Sequence, residues 1–345
     1  MNNLNLRKEK FFKKNSQYFF KNIKFGIKYI VINILIILLI LFYTNKSKRI
    51  IPIVLSINDN YAYPLIVLLT SILYNSSRNS FFIFYILTSP DLSKTKLDKI
   101  LNLKEKYNNY KMILINMGEY FSKYNLGRFK TAAVYYRLAL SNLIKDVDKI
   151  IYLDIDTIVH KDLYDLFSIN MGKYYYMGFP GLDMIKIEFN GTRNFINSGV
   201  MLINLKKLRE INSAKLYDDY YFKYGTKKED EYLINAVFYD KISFLPLIYG
   251  IPDFGAGSHY TVTTSHFLES YNNLVNYTIY DIENASLNRV ITHNCYETKK
   301  WWNRKYDNLT YIGKQWLFYA SKTNIFEDIC KTYKQFENEC IKMKI

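Results

Sequence analysis

The sequence predicts an α/β protein built on a parallel sheet, with one apolar helix near the N-terminus. Three observations carry this reading. From Ile51 onward, short apolar runs alternate with amphipathic stretches; residues 29–43 carry no charge; and charge is concentrated at the two ends of the chain. "IPIVLSI" (Ile51–Ile57) lacks a polar alternation and reads as a strand buried on both faces. "YPLIVLLTSILYNS" (Tyr63–Ser76) reads as a helix that ends in polar residues. "FFIFYIL" (Phe81–Leu87) is a second strand, "DLSKTKLDKILNLKEKY" a helix from Asp91 to Tyr107, and "KMILINM" (Lys111–Met117) a third strand. Two strand–helix–strand units in succession imply parallel strands joined by right-handed crossovers. "YYRLALSNLI" (Tyr135–Ile144) predicts a further helix, and "KIIYL" (Lys149–Leu153) a further strand. No repeat or low-complexity linker interrupts this pattern, so residues 51–300 are expected to form one domain. The Trp-containing remainder, 301–345, is expected to be a basic helical extension.

The net charge of +16 suggests a nucleic-acid binder until its distribution is examined. Residues 1–50 carry 11 Lys/Arg and one Glu, and residues 299–345 carry 10 Lys/Arg and five Asp/Glu. The 248 residues between are left near neutral, which excludes a basic nucleic-acid stripe across the body of the protein. A basic terminus beside an apolar run fits a membrane flank instead.

"YIVINILIILLILFY" (Tyr29–Tyr43) would span about 22 Å as a helix, against a hydrocarbon core of about 30 Å. Tyrosine at both ends suits the interface, and Lys28 can snorkel. No small-residue cleavage site follows, so an uncleaved anchor is expected rather than a signal peptide. Eight Lys/Arg precede the run and three follow closely, which places residues 1–28 on the cytoplasmic side, 44–50 as a short stem and the rest across the membrane. Six Asn-x-Ser/Thr sequons permit a luminal location. Cys295, Cys330 and Cys340 lack zinc spacing; Cys330 and Cys340 could pair across a turn or remain free.

Asp154 and Asp156 stand one residue apart at the end of "KIIYL". Two carboxylates this close repel, and burying either without a partner is costly. Open α/β sheets bind ligands beyond the carboxyl ends of their strands, where these side chains emerge. Paired hard oxygens suit Mg²⁺ or Mn²⁺, ions that also bind diphosphate. A second pair, Asp146 and Asp148, precedes the strand and sits at the wrong end for a ligand.

With its neighbours, the Asp154–Asp156 pair resembles the central block of glycosyltransferase family 8, "FKTAAVYYRLALSNLIKDVDKIIYLDIDTIVHKDLYDLF". Three further blocks agree in order: "IVLSINDNYAYPLIVLLTSIL", "FINSGVMLINLKKLR" and "ITHNCYETKKWW". The resemblance runs from about Ile51 to Trp301. It implies a GT-A (Rossmann-like) fold and a retaining enzyme that moves a hexose from a UDP-sugar in the presence of Mn²⁺ or Mg²⁺. UDP-galactose and UDP-glucose are the favoured donors, with UDP-xylose as a further candidate. The acceptor would be a hydroxyl of a glycan, glycolipid or glycoprotein.

The same resemblance assigns the metal to Asp154, Asp156 and His293. Ser56, Asn58, Asn60, Tyr61 and Ile155 fall at nucleotide-contacting positions, with Asn58 where relatives more often carry Asp. Arg137 falls near the donor, and Lys299 at the lysine that reaches the diphosphate. Asp183, Asn197, Gly199 and Asp230 fall at sugar-facing positions. Glu231, in "KKEDEYLIN", falls where relatives often carry Gln, and a carboxylate there could stabilise an oxocarbenium-like transition state or act as a nucleophile. A UDP-sugar enzyme with this topology implies the Golgi or another secretory lumen; a bacterial inner-membrane enzyme facing the cytoplasm is the alternative.

Two other classes compete. "YLDIDTIV" superficially resembles a haloacid-dehalogenase phosphatase motif, but that motif should open its domain, whereas three strands precede this one. A non-catalytic sugar-nucleotide-binding membrane protein would need the fold without the catalytic residues.

Overall fold

The structure is a computed structural model that describes residues 27–37, 48–126, 131–181, 194–224, 229–252, 277–294, 300–305 and 309–343. It divides into two units, Met1–Lys48 and Arg49–Ile345. In the first, a helix covers 27–37 (α1). Among the described residues no helix is long and apolar enough to cross a membrane. Residues 38–43 of the expected anchor lie outside the described residues.

The second unit is organised by a seven-stranded sheet of order β3-β2-β1-β4-β7-β6-β8. Its strands are β1 (Arg49–Ile57), β2 (Ser80–Thr88), β3 (Tyr110–Asn116), β4 (Lys149–Leu153), β6 (Tyr176–Pro180), β7 (Ile196–Asn204) and β8 (Ile242–Phe244). β1 pairs in parallel with β2 and β4, and β2 in parallel with β3, as the two strand–helix–strand units require. β7 runs antiparallel to both β4 and β6. A smaller sheet, β5-β10-β9, is formed by Thr157–Val159, Ile291–His293 and Ile251–Pro252.

β1 is buried on both faces. Ile51, Ile53 and Leu55 enter one core cluster and Val54 the other, which explains its unbroken apolar run. Helix α2 (Ala62–Tyr74) covers the first face; Leu65, Ile66, Leu68, Leu69 and Ile72 are at most 1% exposed. Each such side chain contributes about 1.5–3 kcal/mol by burial. Helices α10 (Tyr311–Ser321), α11 (Phe326–Thr332) and α12 (Glu337–Met343) belong to the same body. Trp301, Trp316 and Phe336 share their core cluster with β1 and α2. The Asn75 amide, at the end of α2, donates to the Val159 carbonyl (2.9 Å) and to the Tyr319 hydroxyl (2.8 Å), so this sequon's side chain is engaged in packing.

Two helices differ from the sequence expectation. The helix expected over 91–107 is α3, Lys94–Leu101, followed by a 3-10 turn at Asn102–Glu105. Asp91 does not open it: its carboxylate accepts the Ser89 hydroxyl, and the chain turns helical only after Ser93, whose backbone N–H donates to Asp59 at 3.0 Å. "YYRLALSNLI" forms a 3-10 turn, Tyr136–Ala139, and a single turn of α-helix, Leu140–Leu143 (α4). Tyr136, Arg137, Leu138, Ala139 and Leu140 are all buried, so no solvent face remains to support a regular amphipathic helix.

Candidate active site

The strand order 3-2-1-4 reverses direction between β1 and β4, and a cleft opens beyond the carboxyl ends of these two strands. β1 delivers Ser56 and, past its end, Asn58, Asn60 and Tyr61; β4 delivers Asp154, Ile155 and Asp156. β7 is antiparallel to β4, with Val200 opposite Leu153, so its first residues rather than its last reach the same rim. That register brings Asn197, Ser198 and Gly199 to the site. Helix α8 (Asp230–Val237) adds Asp230 and Glu231 from its first turn. Its Asn235 is fully buried and clamps β7, donating to the Ile196 carbonyl (2.9 Å) and accepting the Ile196 N–H (2.7 Å). β10 runs antiparallel to β5 with His293 opposite Thr157, which sets the imidazole beside the two aspartates. The cleft encloses about 660 Å³.

Asp154, Asp156 and His293 each present one ligand atom, and these atoms lie within 4.8 Å of one another. His293 Nε2 is 3.7 Å from Asp154 Oδ2 and 3.4 Å from Asp156 Oδ1. Gly199 passes directly beneath them. A Cβ there would stand 2.1 Å from His293 Cε1 and 2.8 Å from Asp154 Oδ2. The backbone is thus kept bare where the three ligand groups converge, and this donor set fits a hard divalent ion with open coordination positions.

The two aspartates do not face each other uncompensated, because each has its own cation. The Arg137 guanidinium, 6% exposed, donates to Asp154 Oδ1 (2.7 Å), to the Ser198 carbonyl (2.6 Å) and to the Ser198 hydroxyl (2.8 Å). Its Nε lies 3.1 Å from Asp230 Oδ2, and its face stacks on Tyr152 at 4.3 Å. Lys300 donates to Asp156 Oδ2. Burial acts to raise the Asp156 pKa, but Lys300 and His293 together hold it below the ordinary carboxylate value. Burial raises Asp230 above that value despite Arg137.

Glu231 Oε2 accepts from Asn197 Nδ2 (2.9 Å) and from the Ser198 N–H (2.9 Å). Burial, reinforced by the neighbouring Asp230, pushes its carboxyl up to about 7 against the Ser198 hydrogen bond. Glu231 therefore lines the cleft and does not merely solvate an acidic helix start. The decoy pair is occupied elsewhere: Asp146 accepts the Tyr85 hydroxyl (2.6 Å) and Asp148 pairs with Arg209 (2.6 Å).

A model of glycosyl transferase family 8 matches residues 52–305. The chain belongs to that family. The matched region is that of a glycosyltransferase family, and three of its strands precede the one that carries the aspartate pair, which removes the phosphatase reading. It is 30% identical over 122 residues to a glycosyltransferase of Haemophilus influenzae, covering 33% of this chain and 37% of that protein. It is 28% identical over 159 residues to glycosyltransferase GlyF of Streptococcus pneumoniae, covering 46% of this chain and 37% of that one. The matched part of this family 8 chain thus spans little more than a third of these relatives. Among solved structures, the galactosyltransferase LgtC in complex with donor and acceptor sugar analogues superposes with a TM-score of 0.64 at 23% identity, covering 79% of this chain and 96% of that one. That likeness supports the GT-A fold.

The structure gathers most of the sequence-expected residues of the family 8 site in one cleft: Ser56, Asn58, Asn60, Tyr61, Arg137, Asp154, Ile155, Asp156, His293, Asn197, Asp230 and Glu231. Gly199 lies under the metal-ligand group. Asp183 and Lys299 lie outside the described residues. Sequence reasoning missed Ser198, Asn235 and Lys300. Ser198 sits inside the recognised "INSGV" block and Lys300 directly follows the expected Lys299, so both were within reach; Asn235 gave no signal beyond its place in "EYLIN".

Proposed function

We propose that the protein transfers a hexose from a UDP-sugar to an acceptor hydroxyl, with retention of the α configuration and with Mn²⁺ or Mg²⁺ as cofactor. UDP-galactose or UDP-glucose are the favoured donors, and UDP-xylose is the further candidate. The acceptor belongs to a glycan, glycolipid or glycoprotein. The observation that carries this reading is the convergence of Asp154, Asp156 and His293 in a cleft that Asn197, Asp230 and Glu231 also line.

Asp154, Asp156 and His293 would hold the ion, which when bound neutralises diphosphate charge. The chain's own residues do the rest. Asn58, Asn60 and Tyr61 bind the nucleotide; Asn58 Oδ1 is buried with no hydrogen-bond partner among the described residues, so it can accept a donor from the base. Tyr61 is braced edge-on by Trp302 at 5.8 Å. Arg137 fixes the orientation of Asp154 and Asp230. Asn197 and Asp230 face the sugar. Glu231, whose carboxyl burial raises above the ordinary value, stabilises positive charge at the anomeric carbon or attacks it when ionised. Lys299 is assigned to the diphosphate and Asp183 to a sugar hydroxyl on the sequence pattern alone.

We place residues 29–43 as a signal anchor and the catalytic unit in a secretory lumen, with the bacterial inner membrane as the alternative. The pairing of Cys330 with Cys340 supports an oxidising compartment.

The test is a panel of UDP-sugars incubated with purified protein, with and without Mn²⁺, read as released UDP and as product mass. One UDP-hexose should be turned over, and only with the ion. No UDP release from any UDP-sugar in the presence of Mn²⁺ would overturn the proposal.

A further inference from the structure

The two cations beside the aspartates are held very differently. Arg137 is locked: it is 6% exposed, stacked on Tyr152, and tied to Ser198, Asp154 and Asp230 at once. Lys300 is not. Its side chain is 28% exposed, and among the described residues it donates to Asp156 Oδ2 and, at the long limit of 3.5 Å, to the Asn294 carbonyl. The second oxygen of that carboxylate, Asp156 Oδ1, lies 3.4 Å from His293 Nε2. One carboxylate therefore serves a partly exposed ammonium with one oxygen and the metal-ligand group with the other. A lysine is a compact charge on a four-carbon stem and can leave such a contact without disturbing the backbone.

We propose that Lys300 is an internal competitor for the metal site. Its ammonium on Asp156 weakens capture of a bare divalent ion, and it is displaced when the ion arrives with a nucleotide diphosphate. Charge is the reason. A divalent ion entering beside Arg137 and Lys300 meets two positive charges at short range, whereas the ion with a diphosphate is close to neutral or negative. Metal and nucleotide then load as a unit, and by linkage each raises the affinity of the other by the same factor. This rests on reading Asp154, Asp156 and His293 as the metal ligands.

The experiment is a titration of the full-length protein with Mn²⁺, followed by electron paramagnetic resonance of the free ion, with and without saturating UDP. Lys300→Met should tighten Mn²⁺ binding without nucleotide by about tenfold or more, and should shrink the factor by which UDP tightens it. Lys300→Arg, which keeps the charge on a less readily displaced group, should bind Mn²⁺ without nucleotide no more tightly than wild type. A brace that merely holds Asp156 in place predicts the opposite sign, with looser Mn²⁺ binding in Lys300→Met. Lys300→Gln and a thermal melt guard against misfolding. Unchanged or weaker Mn²⁺ binding in folded Lys300→Met and Lys300→Gln, with normal wild-type binding, overturns this proposal alone. If the wild-type chain takes no Mn²⁺ even with UDP, the metal assignment falls and the proposal with it.

Discussion

Glu231→Gln probes the least ordinary feature of the site, a carboxyl held at about 7 instead of 4.5. Holding a proton across that interval corresponds to about 3 kcal/mol of linkage between proton binding and folding. The sign follows from which state holds the proton. Between pH 4.5 and 7 the native protein keeps a proton that the unfolded chain has released, so stability falls as pH rises through this window and levels off above it. Glutamine stays neutral throughout, and its carbonyl oxygen can accept the same two N–H donors, from Asn197 and Ser198. The variant should therefore melt close to wild type at pH 5 and about 5 °C above it at pH 8, at about 1.5 °C per kcal/mol for a unit of this size. Differential scanning fluorimetry with EDTA present reads this directly. Equal melting shifts at both pH values would refute the buried, proton-holding Glu231. The same variant sorts the chemistry. A covalent role predicts a loss of about 10³-fold or more in kcat with little change in donor KM, and full activity would eliminate it.

Asp154→Ala, Asp156→Ala and His293→Ala should each abolish metal-dependent transfer while the fold is retained by circular dichroism. Asp146→Ala and Asp148→Ala should cost about 1 kcal/mol of stability each and leave turnover intact; an essential decoy pair would show the site to be misplaced. Gly199→Ala should weaken Mn²⁺ binding by about 10–100-fold, because its methyl group would enter the space of His293 and Asp154, and wild-type affinity in a calorimetric titration would contradict the geometry. Protease added to intact microsomes should clip the basic N-terminus and spare residues 51–345; digestion of the large unit would reverse the assigned orientation.

Strand identity was legible because a sheet buried on both faces writes itself as unbroken apolar runs: β1, β2 and β4 appear where "IPIVLSI", "FFIFYIL" and "KIIYL" stand. Helix boundaries were less legible, for a local reason. Asp91 looks like a helix cap in one dimension, but its carboxylate is taken by Ser89, and Ser93 leads into the helix instead. The irregular turn at Tyr136–Ala139 was invisible for a non-local reason: Arg137 must point inward to meet Asp154 and Asp230, 17 and 93 residues away in sequence. The centre of the site was readable because its ligand types are chemically restrictive. Its supports were not: a buried Asn such as Asn235, clamping both backbone groups of Ile196, looks in sequence like any other helix polar residue.

The pairing of charges explains how two aspartates one residue apart can sit in a largely apolar segment. They form not one repelling pair but two ion pairs of different character. Asp154 is tied to a buried guanidinium whose two terminal nitrogens are held by backbone and side-chain oxygens, so its position is fixed by packing. Asp156 is tied to an ammonium on a flexible stem, so its charge is compensated without being committed. Exchanging the two cation types would invert this. A lysine at Arg137 could not hold Ser198, Asp154 and Asp230 together, and an arginine at Lys300 would bind Asp156 through a broader, less readily displaced group. The arrangement therefore separates two needs: a rigid aspartate to set the direction of ligation, and an exchangeable one whose charge can be handed to an incoming cation.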